Sequence, residues 1–255
     1  MLAQRLSLSL PTIKNVSPEG FDNLYSLDFD GVDDYVTMGD VANTEWNAPF
    51  SLSYWLKRTG VTGTTEFHIC KQESSGNYRG WMTFISGSND KLAFSIRNVN
   101  TAAQKITSQM SNAILDTDWH HAVFTYSGSG SNTGVLKYFD GVLDTGGTSI
   151  GDVSATIVST APLQFAKRST GTPNAKVLLD EVAIFDAVLS AADVTAIYNS
   201  GSPTDLSGES DLVGYWRNGD TAGTSVYPTI EDYSSNSNDG TMTNMVSGDI
   251  VTDVP

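Results

Sequence analysis

Apolar and polar residues alternate with period two along most of this chain, and that pattern confines it to sheet architectures. Leu27 and Phe29 alternate with Ser26, Asp28 and Asp30. Phe50, Leu52, Tyr54 and Leu56 alternate with Ser51, Ser53 and Lys57, and Leu92, Phe94 and Ile96 with Lys91, Ser95 and Arg97. Successive side chains of a strand point to opposite faces, so each run reads as an antiparallel strand with one face on a core. The continuous apolar runs Ala122 to Phe124 and Val177 to Leu179 read as more deeply buried strands. Asp30-Gly31, Asp140-Gly141 and Asp239-Gly240 supply the positive φ of tight hairpins, most clearly in the stretch 137–143. Residues 127–134 are low in complexity and read as a loop. With 255 residues, 23 of them glycine, and only 17% charged, the chain fits one domain of many short strands.

One helix is expected, over about residues 191–199. Ser190 and Asp193 form a capping-box variant, Leu189 and Val194 sit where a hydrophobic staple would, and Val194, Ile197 and Tyr198 make the apolar stripe. Gly201 is expected to end the helix, and the helix to pack on the rim of the sandwich.

Charge narrows the partners. Fourteen basic residues against 29 acidic ones give a formal charge of −15, a surface that repels nucleic acid and anionic membranes. The lone Cys70 cannot form an internal disulfide and reads as a small buried residue. No run approaches the roughly 18 apolar residues that span a bilayer, so no membrane insertion is expected. The stretch 1–11 has one arginine and a broken apolar run, without the h-region of a signal peptide. Synthesis in a cytoplasm and release by another route is the expectation.

Several segments resemble a known family. Residues 26–36 resemble the opening strand pair of laminin-G-like jelly rolls, and 50–57 are similar to the next core strand. Asp118-Trp119-His120-His121, with Tyr138-Phe139-Asp140-Gly141, looks like the central strand and hairpin. Leu179 to Phe185 followed by 189–201 is similar to the strand-then-helix signature that pentraxins share. The resemblance covers residues from about 25 to 220 in the family's order. It implies an all-β, two-sheet antiparallel jelly-roll sandwich of the concanavalin A-like lectin/glucanase type, with one short helix. On this reading 1–24 form an N-terminal arm and 25–255 the domain. The closing segment 212–255 contains a loop at 232–242 that often opens such domains. That loop reads here as a permuted edge of the same sandwich.

The superfamily contains glycoside hydrolases, so chemistry comes next. Their retaining members set two glutamates on one strand face around an aspartate, with the carboxyls roughly 5 Å apart. No Glu-x-Asp-x-Glu strand exists here, and Asp180-Glu181, adjacent on a strand, should face opposite ways. The histidines are His68, His120 and His121, and no nucleophile motif accompanies them. Trp119-His120-His121 is a recurrent structural element of laminin-G-like domains, and adjacent strand histidines do not pair on zinc. The expectation is no enzyme.

Binding remains. The resemblance implies calcium on rim loops, but the pentraxin positions map onto 74–80, where only Asn77 is a ligand, and onto Lys167-Arg168-Ser169, where cations replace carboxylates. Other oxygen-rich loops are candidates for Ca²⁺: Asp28, Asp30, Asp33 and Asp34, and above all Asp232, Asn236, Asn238 and Asp239. Asx turns, in which such side chains bond their own backbone, would use the same residues. For carbohydrate, an aromatic platform beside polar groups is needed, and Tyr78, Arg79 and Trp81 are the candidates. A tryptophan in the core is the competing reading for Trp81.

Two functions fit. One is a non-catalytic bacteriophage virion protein, capsid- or tail-associated, made in a host cytoplasm and displaying a lectin-like sandwich to host glycans. The tail 248–255 looks like those of marine bacteriophage proteins, and Leu6, Leu8, Leu10 and Ile13 give the arm an alternating apolar stretch to dock on a capsid or tail protein or another copy. The other is a secreted, extracellular carbohydrate-binding lectin or adhesin.

Overall fold

The computed structural model describes residues 21–99, 101, 104–169, 171, 175–220 and 227–255. The arm residues Leu6, Leu8, Leu10 and Ile13 lie outside them. The alternating runs become strands, and the strands make two antiparallel sheets packed face to face, a jelly-roll sandwich.

In sheet A the path is β10 (Val142–Leu143), β9 (Val135–Phe139), β8 (Trp119–Tyr126), β3 (Phe50–Arg58), β13 (Lys176–Phe185), β1 (Ser26–Asp30) and β17 (Ile250–Val251). β14 (Leu212–Trp216) also pairs with β13. In sheet B it is β11 (Thr148–Ile150), β7 (Lys105–Ala113), β6 (Lys91–Arg97), β5 (Gly80–Ile85), β4 (Glu66–Gln72), β12 (Leu163–Phe165), β2 (Tyr35–Gly39), β16 (Gly240–Thr243) and β15 (Thr229–Ile230). The C-terminal residues therefore extend both sheets: β16 lies on β2 and β17 on β1.

Between the sheets lie Leu27, Phe29, Leu52, Tyr54, Leu56, Trp81, Phe94, Ile96, Phe124, Tyr126, Phe165 and Trp216. Phe50 links the layers, its ring centroid 5.8 Å from those of Trp81 and Phe94 and 5.7 Å from Tyr126. One ion pair is buried at the end of this core. The Arg58 guanidinium donates to Glu66 at 2.7 Å, to Asp90 at 3.1 Å and to the Ile114 carbonyl at 2.6 Å. Its side chain is 1% exposed and that of Glu66 0%. Thr62 Oγ1 donates to the same Glu66 oxygen.

The helix α1 (Ala191–Tyr198) has the expected capping box, Ser190 accepting from the Asp193 N–H and Asp193 from the Ser190 N–H. Two expectations about it are corrected. Asn199, in the left-handed conformation at φ 44°, ends it, because asparagine tolerates that region as glycine does. The helix also lies over the outer face of sheet A, not the rim. Val194 and Ile197 pack there on Val123, Tyr138, Ala183, Phe185, Leu212 and Tyr215, forming a second core. The hairpin glycine Gly141 (φ 76°) sits beneath it, where a Cβ would come within 2.6 Å of the Tyr198 ring.

Candidate functional site

The three residues expected to meet carbohydrate part company. Trp81 is 1% exposed, paired across the sheet with Ile96 and packed on Phe50, so it is core and no platform. Tyr78 and Arg79 stay half-exposed on the loop between β4 and β5. Tyr78 takes the left-handed conformation (φ 57°). That loop meets the one after β12: the Arg168 guanidinium stands 5.2 Å from the Tyr78 ring centroid and 4.8 Å from that of Phe67. Arg97 stands 5.6 Å from the same Tyr78 ring. An aromatic ring within 6 Å of two guanidiniums is a favourable cation–π arrangement.

Strand register places more cations on this face. Ile96 and Ile106 are core and paired with each other, so their neighbours Arg97 and Lys105, also paired, point to the outer side of sheet B. Val36 is core in the same way, which turns Tyr35 outward, and Lys167 lies 3.7 Å from the Tyr35 ring centroid. Lys105, Arg97, Arg79, Arg168 and Lys167 are all half-buried. Burial, then the charge of Arg168, pushes Arg97 below its usual pKa. Burial, then the charge of Arg97, does the same to Lys105. Among the described residues Arg79, Lys105, Lys167 and Arg168 form no ion pair with a carboxylate. Among the described residues the Nε–H groups of Arg79 and Arg168 are buried without an acceptor. The pentraxin-type calcium positions thus come together in space, and cations and rings fill them. They do not fit a divalent cation.

The loop expected to be the likeliest metal holder is tied up with itself. Asp232 accepts from the N–H groups of Tyr215, Ser234 and Asn238 and from the Ser234 hydroxyl, and Asp239 accepts from the Asp232 N–H. Asn236 and Asn238 donate to the carbonyls of Leu212 and Val213. Asx-type bonding to the backbone, the competing use of Asp232, Asn236, Asn238 and Asp239, is thus present in this loop. Asp30, Asp33 and Asp34 do converge, with ligand oxygens within 4.8 Å of one another, while Asp28 stands outside the group. There too, backbone N–H groups at Val32, Asp33 and Asp30 take carboxylate oxygens. Burial outweighs the Asp30 N–H and, with the surrounding carboxylates, lifts Asp34 to about 6.

A further correction concerns Asp180 and Glu181. They do not face opposite ways, because β13 bulges between Asp180 and Ala183 while β3 runs on, and Glu181 takes φ 49°. Asp180 pairs with Trp55 and Ala183 with Ser53, and both acids turn to the outer side of sheet A. There they are buried under other residues. Asn23 donates to Asp180, and Tyr215 and Arg217 to Glu181. Burial comes first among the causes that raise both carboxyls, Glu181 to about 7. At 0% and 3% exposure neither can reach a substrate.

The histidines are separate, as their alternation requires. His121 is buried against Trp55 and the Ser53 hydroxyl, and burial lowers it to about 4. His120 lines a cavity of about 500 Å³ with Ile114, Phe139 and Leu143, its ring stacked on Phe139. Its polar neighbours satisfy one another: His120 bonds Asp140 at 2.8 Å and Asp116 at 2.9 Å, and Asp144 accepts from the N–H groups of Ser111 and Gly146. Burial works against the His120 proton, but the two carboxylates outweigh it and raise the ring from 6.5 to about 9. A proton held more tightly in the folded state stabilises it fully below pH 6.5, and that contribution is lost as pH rises through about 9. Solvent screening of the exposed carboxylates leaves roughly 1–2 kcal/mol. We expect His120→Gln to melt lower than the parent at pH 6 and at the same temperature at pH 10. A gap independent of pH would contradict this.

A family profile described as the concanavalin A-like lectin/glucanases superfamily matches residues 30–195. The structure superposes on a candidate carbohydrate-binding protein from Bacteroides ovatus with a TM-score of 0.62 and 13% identity, covering 90% of this chain and 60% of that one. On the heptameric SAP-like pentraxin of Limulus polyphemus the TM-score is 0.49 and the identity 13%, covering 70% of this chain and 84% of the other. No curated protein matches the sequence. At these identities the structural likeness shows the fold alone.

Proposed function

The chain belongs to the concanavalin A-like lectin/glucanases superfamily, and from that premise we propose that it binds carbohydrate without transforming it. The observation that carries the reading is the half-exposed Tyr78 ring, held on a loop over the outer face of sheet B beside Arg97 and Arg168. The exposed part of a ring fixed in this way offers apolar surface to a sugar's C–H groups, while the guanidiniums beside it meet hydroxyl oxygens. Burial of Asp180 and Glu181 supports the non-catalytic part, since an acid–nucleophile pair must touch the glycosidic bond.

The test is a glycan panel read by direct binding, followed by calorimetry on whatever binds. Tyr78→Ala is expected to weaken binding about tenfold or more while the protein stays folded, with the melting temperature lowered by only about 2–4 °C. Binding that survives this substitution unchanged would remove the site from the reading.

The setting we propose is a bacteriophage particle, capsid- or tail-associated, with the sandwich facing host glycans. The formal charge of −15 supports an outward, solvated position. The alternation of Leu6, Leu8, Leu10 and Ile13 supports docking of the arm on a neighbouring chain. Among the described residues no helix is long and apolar enough to cross a membrane. Purified particles that lack the chain would sink this placement, and its loss on deleting residues 2–20 would locate the anchor.

A further inference from the structure

We infer that the outer face of sheet B takes an acidic glycan, a chain bearing carboxylate or sulfate groups, laid across the strands; this rests on the carbohydrate reading above. The charge distribution carries the argument. In a molecule of formal charge −15, Lys105, Arg97, Arg168 and Lys167 gather on one sheet face. They run from β7 through β6, β5, β4 and β12 to the edge of β2. Five strand steps of about 4.8 Å make roughly 24 Å, the length of a short oligosaccharide and far more than one sugar needs.

Placing like charges together costs stability. Arg97 and Lys105 stand directly opposite each other in the register, an unfavourable pair in an isolated sheet. Lys105, Lys167 and Arg168 have no carboxylate partner among the described residues, although acids outnumber bases two to one in the chain. The buried Nε–H group of Arg168 has no acceptor among the described residues, where nearly all such groups in proteins are satisfied. An anionic ligand would neutralise the row and supply oxygen acceptors. The rings of Tyr35, Phe67 and Tyr78, interleaved with the cations, already hold Arg97, Arg168 and Lys167 in place. A neutral glycan would leave this charge uncompensated. A long nucleic acid would meet the acidic remainder of the surface.

Matched probes separate the cases. Oligogalacturonate is compared with its methyl ester, and a sulfated galactan oligosaccharide with its desulfated form, by calorimetry at low and at physiological salt. A single-stranded oligonucleotide serves as a further arm. The expected result is at least about tenfold tighter binding of the acidic member of one pair, weakening as salt rises. Arg168→Gln and Arg97→Gln should each lose about tenfold or more, while Lys176→Gln, a cation outside the row, changes nothing. The pair that responds tells carboxylate from sulfate. Equal binding of acidic and neutral members, abolished by Tyr78→Ala, would overturn the acidic preference and leave the carbohydrate reading standing. No binding by any glycan would overturn both. Binding of the oligonucleotide as tight as that of the best glycan would also overturn the proposal. Unchanged far-ultraviolet spectra and cooperative melting curves certify that the variants fold.

Discussion

Arg58→Met is expected to destabilise the protein by about 3–5 kcal/mol, lowering Tm by roughly 10 °C. The cost comes from what stays behind. Glu66 is 0% exposed, and its charge is held by Arg58 at 2.7 Å with Thr62 as a minor donor. Removing the guanidinium leaves a carboxylate in apolar surroundings, and it also strips the Ile114 carbonyl of its donor. The double variant Arg58→Met with Glu66→Met is therefore expected to recover most of the loss, since no buried charge then lacks a partner. Thermal melts of the parent, the two single variants and the double variant give the coupling directly. A double variant as unstable as the sum of the singles would show that the two side chains contribute by packing and not as a pair.

Trp81→Ala should cost about as much, roughly 3–5 kcal/mol, through the cavity it opens beside Phe50. Its partner in the expected platform should behave in the opposite way. Tyr78→Ala should cost only about 1 kcal/mol, its cation–π share, because a half-exposed loop ring fills no core volume, yet it should abolish most glycan binding. Chemical denaturation and binding measured on both variants form a two-by-two comparison. If Trp81→Ala kept full stability and lost binding, the indole would belong to the site after all.

That pair also shows why some of the site escaped the sequence. Period-two alternation picks a core face only when one side is polar, and Leu92, Phe94 and Ile96 satisfy this against Lys91, Ser95 and Arg97. In β5, however, Trp81, Met82, Phe84 and Ile85 are apolar on both faces, so nothing local says which way the indole turns. The face itself was legible only in pieces. Lys167 and Arg168 stood out as cations where relatives of the resembling type would carry ligands. The approach of Arg168 to Tyr78 depends on two loops about ninety residues apart, and the pairing of Arg97 with Lys105 on a register no single strand encodes. The bulge at Asp180 was hidden for a related reason: one extra residue reverses the parity of everything before it, and Glu181 is not a residue that announces a positive φ. The helix cap was readable because all its groups lie within four residues, Ser190 to Asp193.

The strand order also governs how the molecule comes into being on the ribosome. Among the described residues β1 pairs with β13 and β17, and β2 with β12 and β16. These two strands thus wait for partners translated much later, with those edges open meanwhile. The sandwich closes over long chain separations and is expected to assemble slowly. The crowd of aspartates at 28, 30, 33 and 34 then acquires a role during synthesis: charge on a waiting strand discourages it from pairing with its counterpart on the next nascent chain.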